Sequence, residues 1–292
     1  MISKCSLFNK LGMLAFVVFT VFIIMLIVLF GLSACGKKES AGEAKTAATE
    51  TAAPAIVPGE MVLIPEGDFI LGSDDKNSIA YPKQTLNLPA FWIDKYEVTN
   101  SEFLDFSIKT GYQGEGAKEG KDWRLFVTPE KARFPVVYIT WNDATAYCKS
   151  LGKRLPTEEE WEKAARGTDG RTYPWGNEWV DNRSNTYEAG LAKPAAIGQF
   201  DDVSPFGVHD MLGNVQEWTG SWYTTYKGNP KKDPKSGHTL RVVRGLSARY
   251  KGKKGGLWER SAWPAEALFD FGCRCAKDAT PGDVAKSGQA PK

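Results

Sequence analysis

Gly207-Val208-His209-Asp210-Met211-Leu212-Gly213-Asn214-Val215-Gln216-Glu217-Trp218 places a Gly-Asn turn between two carboxylates and ends on a buried-type aromatic. Turn chemistry of the same kind surrounds it: Tyr173-Pro174-Trp175-Gly176-Asn177, Ser204-Pro205-Phe206-Gly207 and Gly228-Asn229-Pro230 punctuate the chain from Gly167 to Lys277. Strand-like runs are short, as in Met61-Val62-Leu63-Ile64, Phe91-Trp92-Ile93 and Val136-Val137-Tyr138-Ile139. Three helices can be placed. Thr99-Asn100-Ser101-Glu102 is a capping box opening a helix that ends near Gly111. Thr140 caps a second helix with an apolar face of Ala144, Tyr147, Cys148 and Leu151, closed by Gly152. Thr157 and Glu160 box the start of a third, with Trp161, Ala164 and Ala165 on its buried side. This pattern predicts a mixed α/β, loop-rich single domain with few short helices and short antiparallel strands. Such a domain needs aromatic packing, disulfides or metal ions to hold its loops, and the chain carries 10 Trp and 5 Cys.

Further blocks flank the opening stretch. Met61 to Gly67 leads to Leu71-Gly72-Ser73 and Tyr96-Glu97-Val98-Thr99-Asn100; Phe134-Pro135-Val136 precedes Gly152-Lys153-Arg154-Leu155-Pro156-Thr157-Glu158-Glu159-Glu160-Trp161-Glu162. Arg241-Val242-Val243-Arg244-Gly245 and Gly272-Cys273-Arg274-Cys275-Ala276 close the series. In this order and spacing the blocks resemble the formylglycine-generating enzyme family, also called sulfatase-modifying factors, over residues 58–278. The resemblance implies a loop-rich α/β fold related to C-type lectins.

It does not by itself imply the family's activity. Active members oxidise a sulfatase cysteine with two copper-binding cysteines that follow an Arg-Val-x-x-Gly-Gly-Ser-(Trp/Tyr) segment. Here that segment reads Arg241 to Tyr250, with Leu246 in place of a glycine and Ala248 in place of the aromatic. The cysteine positions fall at about Tyr250 and Gly255, and no cysteine occurs between Cys148 and Cys273. Without thiolates there is no soft ligand set for Cu(I), so no copper is expected. The loop Lys251-Gly252-Lys253-Lys254-Gly255-Gly256 reads as a solvated basic turn. Ser247 keeps the family serine, but neither of the two histidines, His209 and His238, is placed near it as a base. No catalytic residue is assigned; Ser247 and Arg249 are the cleft candidates.

The resemblance also implies calcium. Mapped onto this chain, the ligands are Asp210, the Gly213 and Val215 carbonyls and Glu217, a donor set suited to a hard cation. A second site would use Asn185, the Thr186 carbonyl and Glu188, in a loop that looks shortened. The family bridge between helix and strand maps to Cys148 and Cys275, leaving Cys273 as a buried thiol.

The ends of the chain read differently. Lys4 and Lys10 precede an uncharged run from Leu11 to Leu32, and Leu32-Ser33-Ala34-Cys35 reads as a lipobox, with cleavage after residue 34 and acylation of Cys35. The run would span about 33 Å as a helix, enough to cross a bilayer. The small pair before the cysteine, and the polar sequence after it, decide for a lipoprotein over a transmembrane helix. Residues 35–57 form a flexible, lipid-anchored linker, and 279–292 an unstructured tail. The expected location is the cell envelope, facing the periplasm or exterior, and Gly36 suits outer-membrane sorting in a Gram-negative organism. A net charge of +2 gives no sign of nucleic acid binding.

Two function classes follow. One is a lipid-anchored, non-catalytic relative binding an envelope protein, peptide or glycan. The other is an enzyme with different chemistry in the same cleft, such as tailoring of a periplasmic small molecule; sulfatase cysteine oxidation ranks last. A deep cleft lined by polar residues near Ser247 and Arg249 would favour the enzyme.

Overall fold

Threonine caps start the three longer helices. Thr99 accepts from the Glu102 N–H and Glu102 answers the cap's own N–H, opening α1 (Asn100–Thr110), which stops at Gly111 with φ 72°. Thr140 and Asp143 do the same for α2 (Trp141–Ser150), and Thr157 and Glu160 for α3 (Glu158–Arg166). The structure, a computed structural model, describes residues 56–116 and 120–286, all of them in the unit Pro54–Lys292. The signal peptide, Cys35 and the linker up to residue 55 lie outside the described residues, as do residues 287–292. Among those described, no helix is long and apolar enough to cross a membrane.

The strands are short and form three sheets. β1 (Met61–Ile64), β4 (Phe91–Asp94) and β9 (Ala276–Asp278) make an antiparallel sheet with β4 in the middle. β2 (Gly67–Leu71) and β3 (Gln84–Leu88) form a hairpin. The third sheet has the order β7-β6-β5-β8, from β5 (Gln216–Trp222), β6 (Arg241–Arg244), β7 (Arg260–Trp263) and β8 (Phe271–Gly272). Its β5–β8 pair is parallel, an exception to the antiparallel expectation.

Two aromatic-rich cores lie between these layers. One joins Phe103, Phe106, Trp123, Tyr147, Trp218 and Phe271. The Cys148–Cys275 disulfide stands in this core and ties α2 to the strand end, as the family bridge implied, with Cys273 buried and free beside it. The other gathers Ile64, Phe91, Ile93, Trp161, Met211 and Leu212.

Helix α3 buries most of its charged side chains together with the apolar side that the sequence marks. Glu162 accepts from the Gly72 N–H at 2.7 Å and pairs with Arg166 and Arg244, each at 2.5 Å. Lys163 donates to the Pro65 and Gly67 carbonyls at 2.7 and 2.9 Å. Paired charges of this kind are the form in which burial is tolerated.

Three expectations need correction. Leu151 is exposed, because α2 ends one residue earlier and Leu151 serves as its C-cap. Val136–Ile139 is not a strand: Tyr138 has φ 59°, which breaks the extended run. The tail expected to be unstructured from residue 279 contains a helix, α4 (Pro281–Lys286). Its start is a Thr-x-x-Asp box: the Thr280 N–H donates to Asp283 Oδ2 at 2.8 Å, and Pro281 fills the first turn.

Candidate functional site

Strand β6 runs through Gly245, at φ 70°, into Ser247, and a cleft of about 460 Å³ opens there. That volume is typical of a small-ligand site. The floor is built from Ser247 and Asp270: Ser247 Oγ donates to Asp270 Oδ2 at 2.7 Å, and the Arg249 N–H approaches Ser247 Oγ at 3.4 Å. Burial pushes the Asp270 carboxyl above its ordinary range, while the Ser247 hydrogen bond and the Arg249 charge pull it back. One wall is the Phe126–Tyr138 stack, with centroids 4.7 Å apart and planes 14° apart; Phe134 and Phe269 continue it. Tyr138 holds the left-handed backbone conformation that disfavours a bulky residue, a strain that concentrates at ligand sites. Lys131, Lys193 and Arg249 complete the lining as exposed cations.

The cleft thus contains both sequence candidates, Ser247 and Arg249, and its lining mixes four aromatic side chains with seven polar or charged ones. Asp270, Asn100 and the aromatic wall were not singled out from the sequence. Asp270 stands two residues before the Gly272 block, and Asn100 was read only as part of a helix start. Neither histidine lines the cleft: His209 packs on the Tyr96 ring and His238 on Trp222. At the positions where copper thiolates were looked for, Tyr250 is exposed and Gly255 follows the short 3-10 turn Gly252–Lys254.

The Gly213-Asn214 turn forms a second, buried centre that reaches the cleft through Asn214. Asp210, Gly213 and Asn214 all have positive φ (57°, 96° and 58°). A Cβ on Gly213 would lie 2.3 Å from the Asn185 carbonyl oxygen, so only glycine fits. Both oxygens of Glu217 are engaged: Oε1 and Oε2 accept from Arg274 Nη2 and Nε at 2.7 Å each, and Oε2 also accepts from Trp161 Nε1 at 2.8 Å. The Arg274 guanidinium further donates to the carbonyls of Asp94, Lys95 and His209. Asp210 Oδ2 accepts from the Gly198 N–H at 2.7 Å. Glu97 accepts from Asn214 Nδ2 and the Val215 N–H, and Asp202 from the Leu212 N–H.

Four buried carboxylates (Glu97, Asp202, Asp210 and Glu217) therefore surround one guanidinium. Burial, aided by neighbouring negative charge, raises Glu97 and Asp202 well above the usual range and Asp210 to about 6. By donor type, the Asp210 carboxylate and the Gly213 and Val215 carbonyls fit a hard cation. Glu217 does not fit as expected, because Arg274 holds both its oxygens. Among the described residues, no three His, Cys, Asp or Glu side chains converge as a metal-binding group.

The second expected calcium site fits less well. Asn185 Nδ2 donates to the Lys193 carbonyl and Asn214 Oδ1, which leaves its Oδ1 buried without a donor and open to a cation, but the Thr186 carbonyl already accepts from the Ala189 N–H. Glu188 is spent on the basic loop, accepting from the N–H groups of Gly252 and Lys253 at 3.0 and 3.2 Å. That loop is accordingly docked rather than freely solvated.

Residues 46–279 match the model of the sulfatase-modifying factor enzyme 1-like domain. The chain is 30% identical to the formylglycine-generating enzyme of Bos taurus, with 94% of this chain and 93% of that protein covered. It is 34% identical to the inactive C-alpha-formylglycine-generating enzyme 2 of Mus musculus, covering 64% of this chain and 73% of the relative. In structure it is similar to PvdO from Pseudomonas aeruginosa, with a TM-score of 0.60 and 24% identity over 77% of this chain and all of that one, which speaks for the fold. By sequence, fold and motif order, this chain belongs to the sulfatase-modifying factor enzyme 1-like family.

Proposed function

We propose that the chain is an envelope-anchored binding protein whose domain takes a ligand into the Ser247–Arg249 cleft without copper-dependent cysteine oxidation. The observation that carries this reading is the cleft itself: a cavity of about 460 Å³, lined by aromatic and polar side chains, with no cysteine in its lining. The mouse relative named as inactive offers a precedent for the domain outliving the activity. The test is to incubate the detergent-solubilised full chain with copper and a sulfatase-derived cysteine peptide. No formylglycine product is expected by mass spectrometry; turnover would overturn the non-oxidase reading.

Anchoring rests on Cys35. Mass spectrometry of membrane-extracted protein should find a lipid-modified N-terminus there, whereas retention of residues 1–34 would replace acylation with a transmembrane anchor. A structural calcium ion at the Asp210 turn belongs to the same proposal, held by Asp210 and the Gly213 and Val215 carbonyls.

A second reading, an enzyme with other chemistry, draws on one feature. Asp270 is pushed up by burial while it faces the cleft beside Ser247, as a proton-transferring carboxyl would be. Chemical conversion of a bound ligand, lost in Asp270→Asn while binding persists, would establish it.

A further inference from the structure

We propose that the cleft recognises an N-acylated α-amino acid with an apolar side chain and a free carboxylate, either as a small molecule or as a peptide C-terminus. This rests on the cleft being a ligand site, and it adds the chemistry of the ligand.

Charge comes first. Lys131, Lys193 and Arg249 line the cleft, and none forms an ion pair among the described residues. The one acid in the lining, Asp270, accepts from Ser247 and offsets one of the three positive charges, which leaves cations in excess. The site therefore favours an anion. Arg249 is placed for a planar one: its guanidinium lies 4.3 Å from the Phe269 ring centroid, and Nε donates to the Ala192 carbonyl. Its two terminal nitrogens have no protein partner among the described residues, leaving a fork suited to carboxylate.

A second requirement comes from Asn100, which is 2% exposed. Its Nδ2 donates to the Lys131 carbonyl at 3.0 Å, but its Oδ1 is buried with no donor. Buried acceptors normally have partners, so a ligand N–H would satisfy this one. The third is the wall of Phe126, Tyr138 and Phe134, which offers apolar area and no charge. An inorganic anion would use the cations and leave Asn100 and the wall idle. A carboxylate, an adjacent N–H and an apolar side chain on one small framework describe an acylated amino acid.

Calorimetry on the detergent-solubilised full chain tests this with N-acetyl-L-phenylalanine, its C-terminal amide, its N-methyl derivative, and tetrapeptides ending in Phe with a free or amidated terminus. The free acid is expected to bind, with the amide and the N-methyl compound each roughly tenfold weaker or worse, the loss expected for a missing charged or buried hydrogen bond. Arg249→Gln should weaken the acid by a similar factor and leave the amide unchanged. Lys193→Trp, a bulky change at an exposed rim position, should weaken every probe. Tighter binding of the free-terminus tetrapeptide would identify a peptide end as the source; equal binding would identify the small acyl amino acid. Equal affinity for acid and amide, both lost in Lys193→Trp, would overturn the carboxylate assignment and leave the cleft as the site. No binding by any probe would overturn both.

Discussion

Replacing Glu217 by Ala should be among the most damaging single changes in the domain. Glu217 is fully buried and carries three hydrogen bonds from Arg274 and Trp161, at 2.7, 2.7 and 2.8 Å. Its removal takes both charge-assisted bonds from the buried Arg274 guanidinium; the nearby carboxylates of Glu97 and Asp210 offset part of the loss, so the cost is about 3 kcal/mol, the lower end for breaking a buried pair. The Trp161 N–H loses its acceptor as well, adding roughly 1 to 3 kcal/mol. For a domain of this size each kcal/mol lowers the melting temperature by about 2 to 4 °C, so the fall should be at least about 8 °C. Circular-dichroism melts of wild type and Glu217→Ala, each with and without a calcium chelator, measure it. The chelator arm separates two causes, because an ion bound only to the folded form stabilises by mass action. Chelator should lower the wild-type melt through the Asp210 turn, and an unmoved wild-type melt in excess chelator would count against calcium. A fall below about 3 °C for Glu217→Ala would refute the argument from Arg274, whatever the chelator does.

Removing the disulfide by Cys148→Ala with Cys275→Ala should destabilise the domain by about 5 kcal/mol on the chain-entropy model, since the bond spans a sequence separation of 127; non-reducing peptide maps that find both thiols free would reject the pairing. Glu158 should impose a pH dependence, because burial outweighs Arg260 and Arg244 and raises its carboxyl to about 7. A group raised in the fold stabilises fully below its unfolded value near 4.5, and that contribution is lost as pH rises through about 7. The melting temperature of wild type minus that of Glu158→Gln should therefore decline between pH 4.5 and 7, and a flat difference would refute the assignment.

What was legible in the sequence was local. Thr99, Thr140 and Thr157 announce their helices because a cap is satisfied within one turn, and the Gly-Asn turn at Gly213-Asn214 announces itself for the same reason. The disulfide came from the family resemblance rather than from spacing. What stayed hidden depends on partners far along the chain. The resemblance makes Glu217 a calcium ligand, whereas the fold places Arg274, 57 residues away, against both its oxygens. Nothing local shows that the charges of α3 are buried: Glu162 meets Arg244 at a separation of 82 residues. Asp270 gave no local sign of facing Ser247, and Tyr138 sits within an apolar run that reads as a strand although its backbone turns the other way.

The buried charges of α3 also bear on how the domain meets copies of itself. A two-stranded hairpin is marginal alone and leaves unpaired backbone groups along its sides, which invite another chain to add a strand. Here Lys163 takes the Pro65 and Gly67 carbonyls, Arg166 takes that of Gly72, and Glu162 takes the Gly72 N–H. Side-chain tips thus do for β2 what a third strand would do, and they seal that flank against edge-to-edge association. Shortening those tips, as in Lys163→Ala, would reopen a hydrogen-bonding seam and turn a fault in stability into one of self-association.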